Sequence, residues 1–166
     1  AMAVIMATTY PELYSAVGVH SGLPYGCAAD LPSALAAMRG STSNSPRSGA
    51  KTTPPSPLSV PIIIFHGDSD TTVHMRNGEQ LMKQSSLQQP EVLIGQGQVP
   101  GGHRYTCTSH HGNEEQLLAE HWVIHGAGHA WAGGCQSGTY TDPKGPDATR
   151  EMLRFFYEQV KPTPHN

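Results

Sequence analysis

The sequence predicts an α/β fold built on a mostly parallel, doubly wound sheet, and three stretches predict it. Val60 to Phe65 (V-P-I-I-I-F) is almost continuously apolar and stops abruptly at His66-Gly67, the pattern of a strand buried on both faces between helices. His121 to Ile124 (H-W-V-I) is a second β-prone run, and it empties into a loop containing Gly126, Gly128, Gly133 and Gly134. Asp147 to Val160 has the apolar spacing of a helix that covers a sheet, with Met152, Leu153, Phe156 and Val160 at helical intervals, Asp147 to cap its start and Pro162 to stop it.

The remaining elements follow in chain order. Residues 1 to 9 are rich in Ala and Met, with Val and Ile spaced for a largely buried helix that ends before Pro11. Ser15 to Val19 reads as a short buried strand leading into the turn G-L-P-Y-G-C. Asp30 to Arg39 can form a short helix with Leu31, Ala34, Leu35 and Met38 on one face. From about residue 40 to 59 periodicity disappears into Ser, Thr, Pro, Gly and Asn, which marks an extended connector within the domain; a lid that contacts substrate is the functional alternative. Asn77 to Leu87 supplies a helix with Leu81 and Met82 facing inward. Glu91 to Ile94 is a weaker strand candidate, Gly95 to Gly102 reads as a glycine-rich turn region, and Gly138 to Asp147 as a turn-rich crossing. A frayed tail follows Val160. The strands amount to about half of a doubly wound sheet, and a sheet cut in half leaves an edge that needs a partner segment or a second copy to cover it.

Two strand ends carry the candidate chemistry. Asp68 and Asp70 stand just past the first apolar strand, at the edge of an α/β sheet where catalytic groups gather. Asp68 reads as a cap or turn residue; Asp70 reads as the acid of a catalytic pair. His129 lies among small residues in the loop G-A-G-H-A-W-A-G-G, where glycines permit tight turns and leave room for a substrate. Trp131, two positions on, is either a wall for an acyl or alcohol group or simple packing beneath the loop. The stretch His103 to His111 holds three histidines and Cys107, but its spacing matches no zinc motif and adjacent His110 and His111 would face opposite ways in a strand. No metal site is expected, and no cofactor.

Acid followed by histidine, each after its own strand, is the second half of the order Ser, Asp, His found in α/β-hydrolases. The chain further resembles the esterase family that includes extracellular poly(3-hydroxybutyrate) depolymerases and related feruloyl and acetylxylan esterases. The resemblance rests on G-L-P-Y-G-C at Gly22 to Cys27, H-G-D-S-D-T-T-V at His66 to Val73, G-A-G-H-A-W-A-G-G at Gly126 to Gly134, and G-T-Y-T-D-P-K-G-P-D-A-T at Gly138 to Thr149. It implies a partial α/β-hydrolase fold, a secreted protein, and a triad in which Asp70 and His129 serve as acid and base. The family's nucleophile sits in a G-x-S-A-G-G elbow directly before a helix like the one at Ala1, yet no G-x-S-x-G occurs in these 166 residues. Ser21, in G-V-H-S-G, falls one place too late for that motif and reads as a pocket-lining or turn serine. The expectation is therefore the C-terminal portion of an esterase catalytic domain, its serine supplied from elsewhere. An inert structural or binding fragment is the alternative, and hydrolysis of a chromogenic ester separates the two.

Composition bounds the partners. A net charge of -3 offers no basic footprint for nucleic acid, and no apolar run approaches membrane-spanning length. Charged residues are only 14% of the chain, with 18 Gly and 14 Pro, a loop-rich make-up typical of secreted proteins. Cys27, Cys107 and Cys135 form no C-x-x-C, and a disulfide between two of them is compatible with export. The expected partners are an ester substrate, small or polymeric, and whatever covers the sheet edge.

Overall fold

A computed structural model of the chain describes residues 1–41, 57–85, 87 and 90–160. Most of the connector expected over 40–59, and the tail beyond Val160, lie outside the described residues. In chain order the elements are α1 (Met2–Thr9), β1 (Val17–His20), α2 (Leu31–Met38), β2 (Ile62–Gly67), α3 (Arg76–Gln84), β3 (Glu91–Gln98), β4 (Arg104–His111), β5 (Leu117–Ile124), β6 (Trp131–Ala132), β7 (Thr141–Asp142) and α4 (Ala148–Gln159), with short 3-10 turns at Pro11–Leu13 and Asn113–Glu115. The main sheet runs β1-β2-β5-β4-β3; β6 and β7 pair separately. β1, β2 and β5 are parallel, and β4 and β3 complete the sheet as an antiparallel hairpin.

The alternation within β2 explains its unbroken hydrophobicity. Ile62 and Ile64 pack with Val4 and Ala7 of α1, Val17 and Val19 of β1, and Leu81 of α3. Ile63 and Phe65 point the other way, into Trp122, Ile124 and the α4 residues Ala148, Met152 and Phe155. Both sheet faces are covered by helices, so a strand in the middle has no polar side. The mixed α/β fold with a helix-flanked sheet is thus the one the sequence predicts.

Several boundaries and faces differ from expectation. Glu91 to Gln98 is one strand, not a four-residue strand and a turn, and the histidine-rich stretch forms β4, paired on both sides. β3 is exposed along nearly its whole length, so no burial pattern marks it in the sequence. On α4 the inward residues are Ala148, Met152 and Phe155, with Phe156 packed partly buried beside them; of the expected row Met152 and Phe156 face the sheet, while Leu153, and Val160 just past the helix, face solvent. α2 buries Ala37 and leaves Leu31 and Leu35 exposed. It is fixed at its start by reciprocal hydrogen bonds between Asp30 and Ser33. α1 is buried only through Val4 and Ala7, with Met2 and Ile5 outward. All three cysteines are free, so the disulfide the sequence allows is not formed here. Cys107 faces the Trp122 side of the sheet, where burial, reinforced by Glu120, pushes its thiol up to about 12.

Candidate active site

Three parallel strands end side by side, and each end contributes a polar group. β1 delivers His20 and Ser21, β2 leads through Gly67 to Asp68 and Asp70, and β5 leads through His125 to His129. Gly67 makes the convergence possible. A Cβ there would collide with the Ala127 carbonyl oxygen, so the acid-bearing turn and the histidine loop can touch only over a glycine. The Ser69 amide donates to that same carbonyl at 3.1 Å.

Asp70 is buried and uses both carboxylate oxygens. Oδ1 accepts from the amides of Thr72 at 2.9 Å and Val73 at 2.8 Å, closing a tight turn. Oδ2 accepts from His129 Nδ1 at 2.8 Å. Burial works against the charge, but the Val73 amide, His129 and the Thr72 amide outweigh it and hold the carboxyl below its ordinary value. An ionised Asp70 fixes the proton of neutral His129 on Nδ1 and leaves Nε2 with an open lone pair.

Asp68 is a turn residue, as the sequence suggests, and its carboxylate also reaches across to the histidine loop. Its Oδ1 accepts from the Gly126 amide at 2.7 Å and its Oδ2 from His125 Nδ1 at 2.9 Å, so it fastens the start of the histidine loop. Burial opposes its charge, and the Gly126 and His125 hydrogen bonds prevail to lower its value.

The pocket beside His129 has a volume of about 290 Å³ and is lined by His20, Ser21, His129, Ala130, Trp131 and Tyr140. Trp131 is 37% exposed. It stacks on His20 with ring centroids 5.0 Å apart, and its indole N–H donates to Thr149 at 3.1 Å. His20 stacks in turn near Phe65, Phe65 on Trp122, and Trp122 lies against Tyr105. The tryptophan is therefore both packed and pocket-lining. A larger cleft of about 510 Å³ lies at the opposite end of β4 and β5 and is lined by Glu120, Arg154, Glu158 and polar neighbours. It contains neither member of the Asp70–His129 pair, so its size says nothing about this chemistry.

Two histidines that sequence reasoning left without a role are part of the site's frame. His20 Nε2 accepts from the Ala132 amide at 2.9 Å, tying the histidine loop to β1. Burial, with His66 and His129 nearby, lowers its pKa to about 4 against the opposing pull of Asp70. His66 is fully buried. Its Nε2 donates to the Val73 carbonyl at 2.7 Å and lies 3.7 Å from Asp70 Oδ2, which buttresses the acid's turn from behind. Burial lowers its pKa as well. The one signal available in sequence was position, since His20 closes β1 and His66 is the residue before the end of β2, but position alone does not reveal the partners of either ring.

Two histidines of the stretch His103 to His111 are held in hydrogen bonds within the fold. His103 bridges the His125 carbonyl at 2.9 Å and Asp142 Oδ2 at 2.8 Å, and His111 is engaged by Ser109 and the Glu115 carbonyl. Among the described residues no group of three or more His, Cys, Asp or Glu side chains could hold a metal ion.

Residues 1–97 match a family model described as Esterase PHB depolymerase. The matched stretch includes His20, Ser21, Asp68 and Asp70, while His129 lies beyond it. Among curated proteins none matches the chain.

Proposed function

The chain belongs to the esterase PHB depolymerase family, and from that premise we propose that it supplies the acid and base of a serine-type carboxylic ester hydrolase. The observation that carries this reading is the 2.8 Å hydrogen bond from His129 Nδ1 to buried Asp70, at the carboxyl ends of parallel strands and beside a pocket. His129 Nε2 takes the proton of a serine hydroxyl as the serine oxygen attacks the ester carbonyl. The tetrahedral intermediate collapses, the C–O bond to the alcohol breaks, and His129 hands the proton to the departing alcohol. Water then attacks the acyl-serine with the same histidine as base. Asp70 stays ionised throughout, holding the tautomer and stabilising the imidazolium.

The serine and the backbone N–H groups of an oxyanion hole come from a segment other than these 166 residues, since none of them forms a G-x-S-x-G elbow. Trp131 serves as a wall for the acyl or alcohol group. A polyhydroxyalkanoate, a feruloyl ester and an acetylxylan-type ester all fit the family, and the resemblance also supports export from the cell. The segment that brings the serine is the natural cover for the open edge of β1; a second copy is the other candidate. The missing elbow equally favours a second reading, a catalytically inert piece that only binds or supports.

Hydrolysis of a chromogenic short-chain ester decides between them. The isolated chain should show no turnover above buffer, and addition of the serine-bearing segment should restore it. In the restored enzyme His129→Ala should lower kcat by about 10⁴-fold or more, with the circular dichroism spectrum unchanged. Retention of full activity in that variant would remove His129 from the mechanism.

A further inference from the structure

Ser21 lies immediately after β1 with φ +48°, in the left-handed region that side-chain-bearing residues rarely enter, although it is 91% buried rather than sitting in a solvent-facing turn. Residues held in such conformations are kept there by their surroundings and cluster at functional sites. The surroundings are specific: the Ser21 amide donates to the Phe65 carbonyl at 2.9 Å, and its side chain lines the pocket shared with His129 and Trp131.

The direction of the Ser21 hydroxyl proton can be worked out from its neighbour. The Ala132 amide can only donate, so His20 Nε2 is an acceptor. The proton of the neutral ring is then on Nδ1, which donates to Ser21 Oγ at 3.2 Å. The pKa of about 4 keeps His20 in this state at neutral pH. Ser21 Oγ is thus occupied as an acceptor, and among the described residues its own proton has no protein acceptor. The other pocket groups do not duplicate it. The Trp131 N–H is engaged by Thr149, His129 presents a lone pair, and Tyr140 is 79% exposed at the rim.

From this geometry we infer that Ser21 is a substrate-binding, specificity-determining residue whose hydroxyl donates to a second oxygen of the substrate, one other than the carbonyl under attack, and that His20 is the positioning residue that aims it. The inference rests on the reading of this pocket as the ester site. The site then prefers esters carrying an additional ether, hydroxyl or carbonyl oxygen over hydrocarbon esters of the same shape, because a pure hydrocarbon would leave a buried donor unpaired.

Binding, read without turnover, tests this. Trp131 fluorescence is titrated with two isosteric pairs that exchange one oxygen for a methylene, methyl methoxyacetate against methyl butanoate and 2-methoxyethyl acetate against butyl acetate. The chain should bind the oxygenated member of at least one pair about fivefold to tenfold more tightly. Ser21→Ala should abolish that ratio by bringing the two members of the pair to about the same affinity, the oxygenated ester losing its donor and the hydrocarbon no longer facing an unpaired one. Ser21→Gly, which relieves the backbone conformation, should abolish it too while keeping the melting temperature at or near that of the parent chain, a combination that a merely structural serine would not give. Absence of any preference in the parent chain, or its survival in both variants, overturns the proposal. Because no bond is broken, a preference found alongside hydrolysis that is indifferent to His129→Ala would sink the triad and leave Ser21 standing.

Discussion

Asp70 divides its work between its two oxygens, one closing a turn through Thr72 and Val73 and the other holding His129. A single carboxylate thereby sets both the shape of the acid-bearing turn and the tautomer of the base. Gly67 is the residue on which their approach depends, because the Ala127 carbonyl occupies the space a side chain would need. Gly67→Ala should therefore force the two loops apart, at a cost of about 2 kcal/mol measured by denaturant unfolding. It should also lower ester hydrolysis in the enzyme complete with its serine. The pair Asp70 and His129 was legible in the sequence because each residue follows its own strand. His20 was not, because its meaning comes from the Ala132 amide, 112 positions away in the chain. For Asp68 only the turn was legible, because its partners, His125 and Gly126, belong to the far loop.

Among the elements, legibility tracked burial. β2 is apolar on both faces, and its shortness, its three consecutive isoleucines and the glycine that ends it favour a buried strand over a buried helix. β4, reading R-Y-T-C-T-S-H-H, is a strand because β3 and β5 flank it and satisfy its backbone, a non-local fact that no window of sequence contains. β3 lies at the sheet edge with both sides wet, so its G-Q-G-Q half carries turn-like composition without being a turn. The seating of α4 depends on one buried polar contact. Glu120 on β5 is 5% exposed and accepts from Arg154 through both oxygens at 2.7 Å, and from the Trp122 indole at 2.8 Å. Arg154 also reaches Glu151 and Glu158 on its own helix. Glu120→Ala should leave the Trp122 N–H without its acceptor and the guanidinium without its main buried partner. A loss of about 3 kcal/mol is expected from thermal or urea unfolding.

For the whole molecule, buried neutral histidines set the pH response. Burial, then the neighbouring His66 and His129, brings His20 to about 4 against the pull of Asp70; burial, then His66 and His110, brings His121 to about 4. Both folded values lie below the ordinary 6.5, so the unfolded chain binds more protons in that interval. Stability is complete above about pH 6.5 and falls as pH drops toward 4, by at most about 3 kcal/mol for each histidine. Melting temperatures measured across that range should show the decline, and His121→Gln should flatten part of it. The histidine loop has a further property at this scale. Its amides at Gly126, Trp131, Ala132 and Gly133 are given to Asp68, the Tyr140 carbonyl, His20 and the Asp142 carbonyl, acceptors drawn from the β2 turn, from β1 and from the β6–β7 crossing. A segment this rich in glycine would ordinarily exchange its amide hydrogens with solvent within seconds. Here the Gly126 and Ala132 bonds tie the loop to the ends of β2 and β1, and the Trp131 and Gly133 bonds tie it to the β6–β7 crossing, so deuterium uptake at these four amides should be markedly slower than in an unpaired glycine-rich loop.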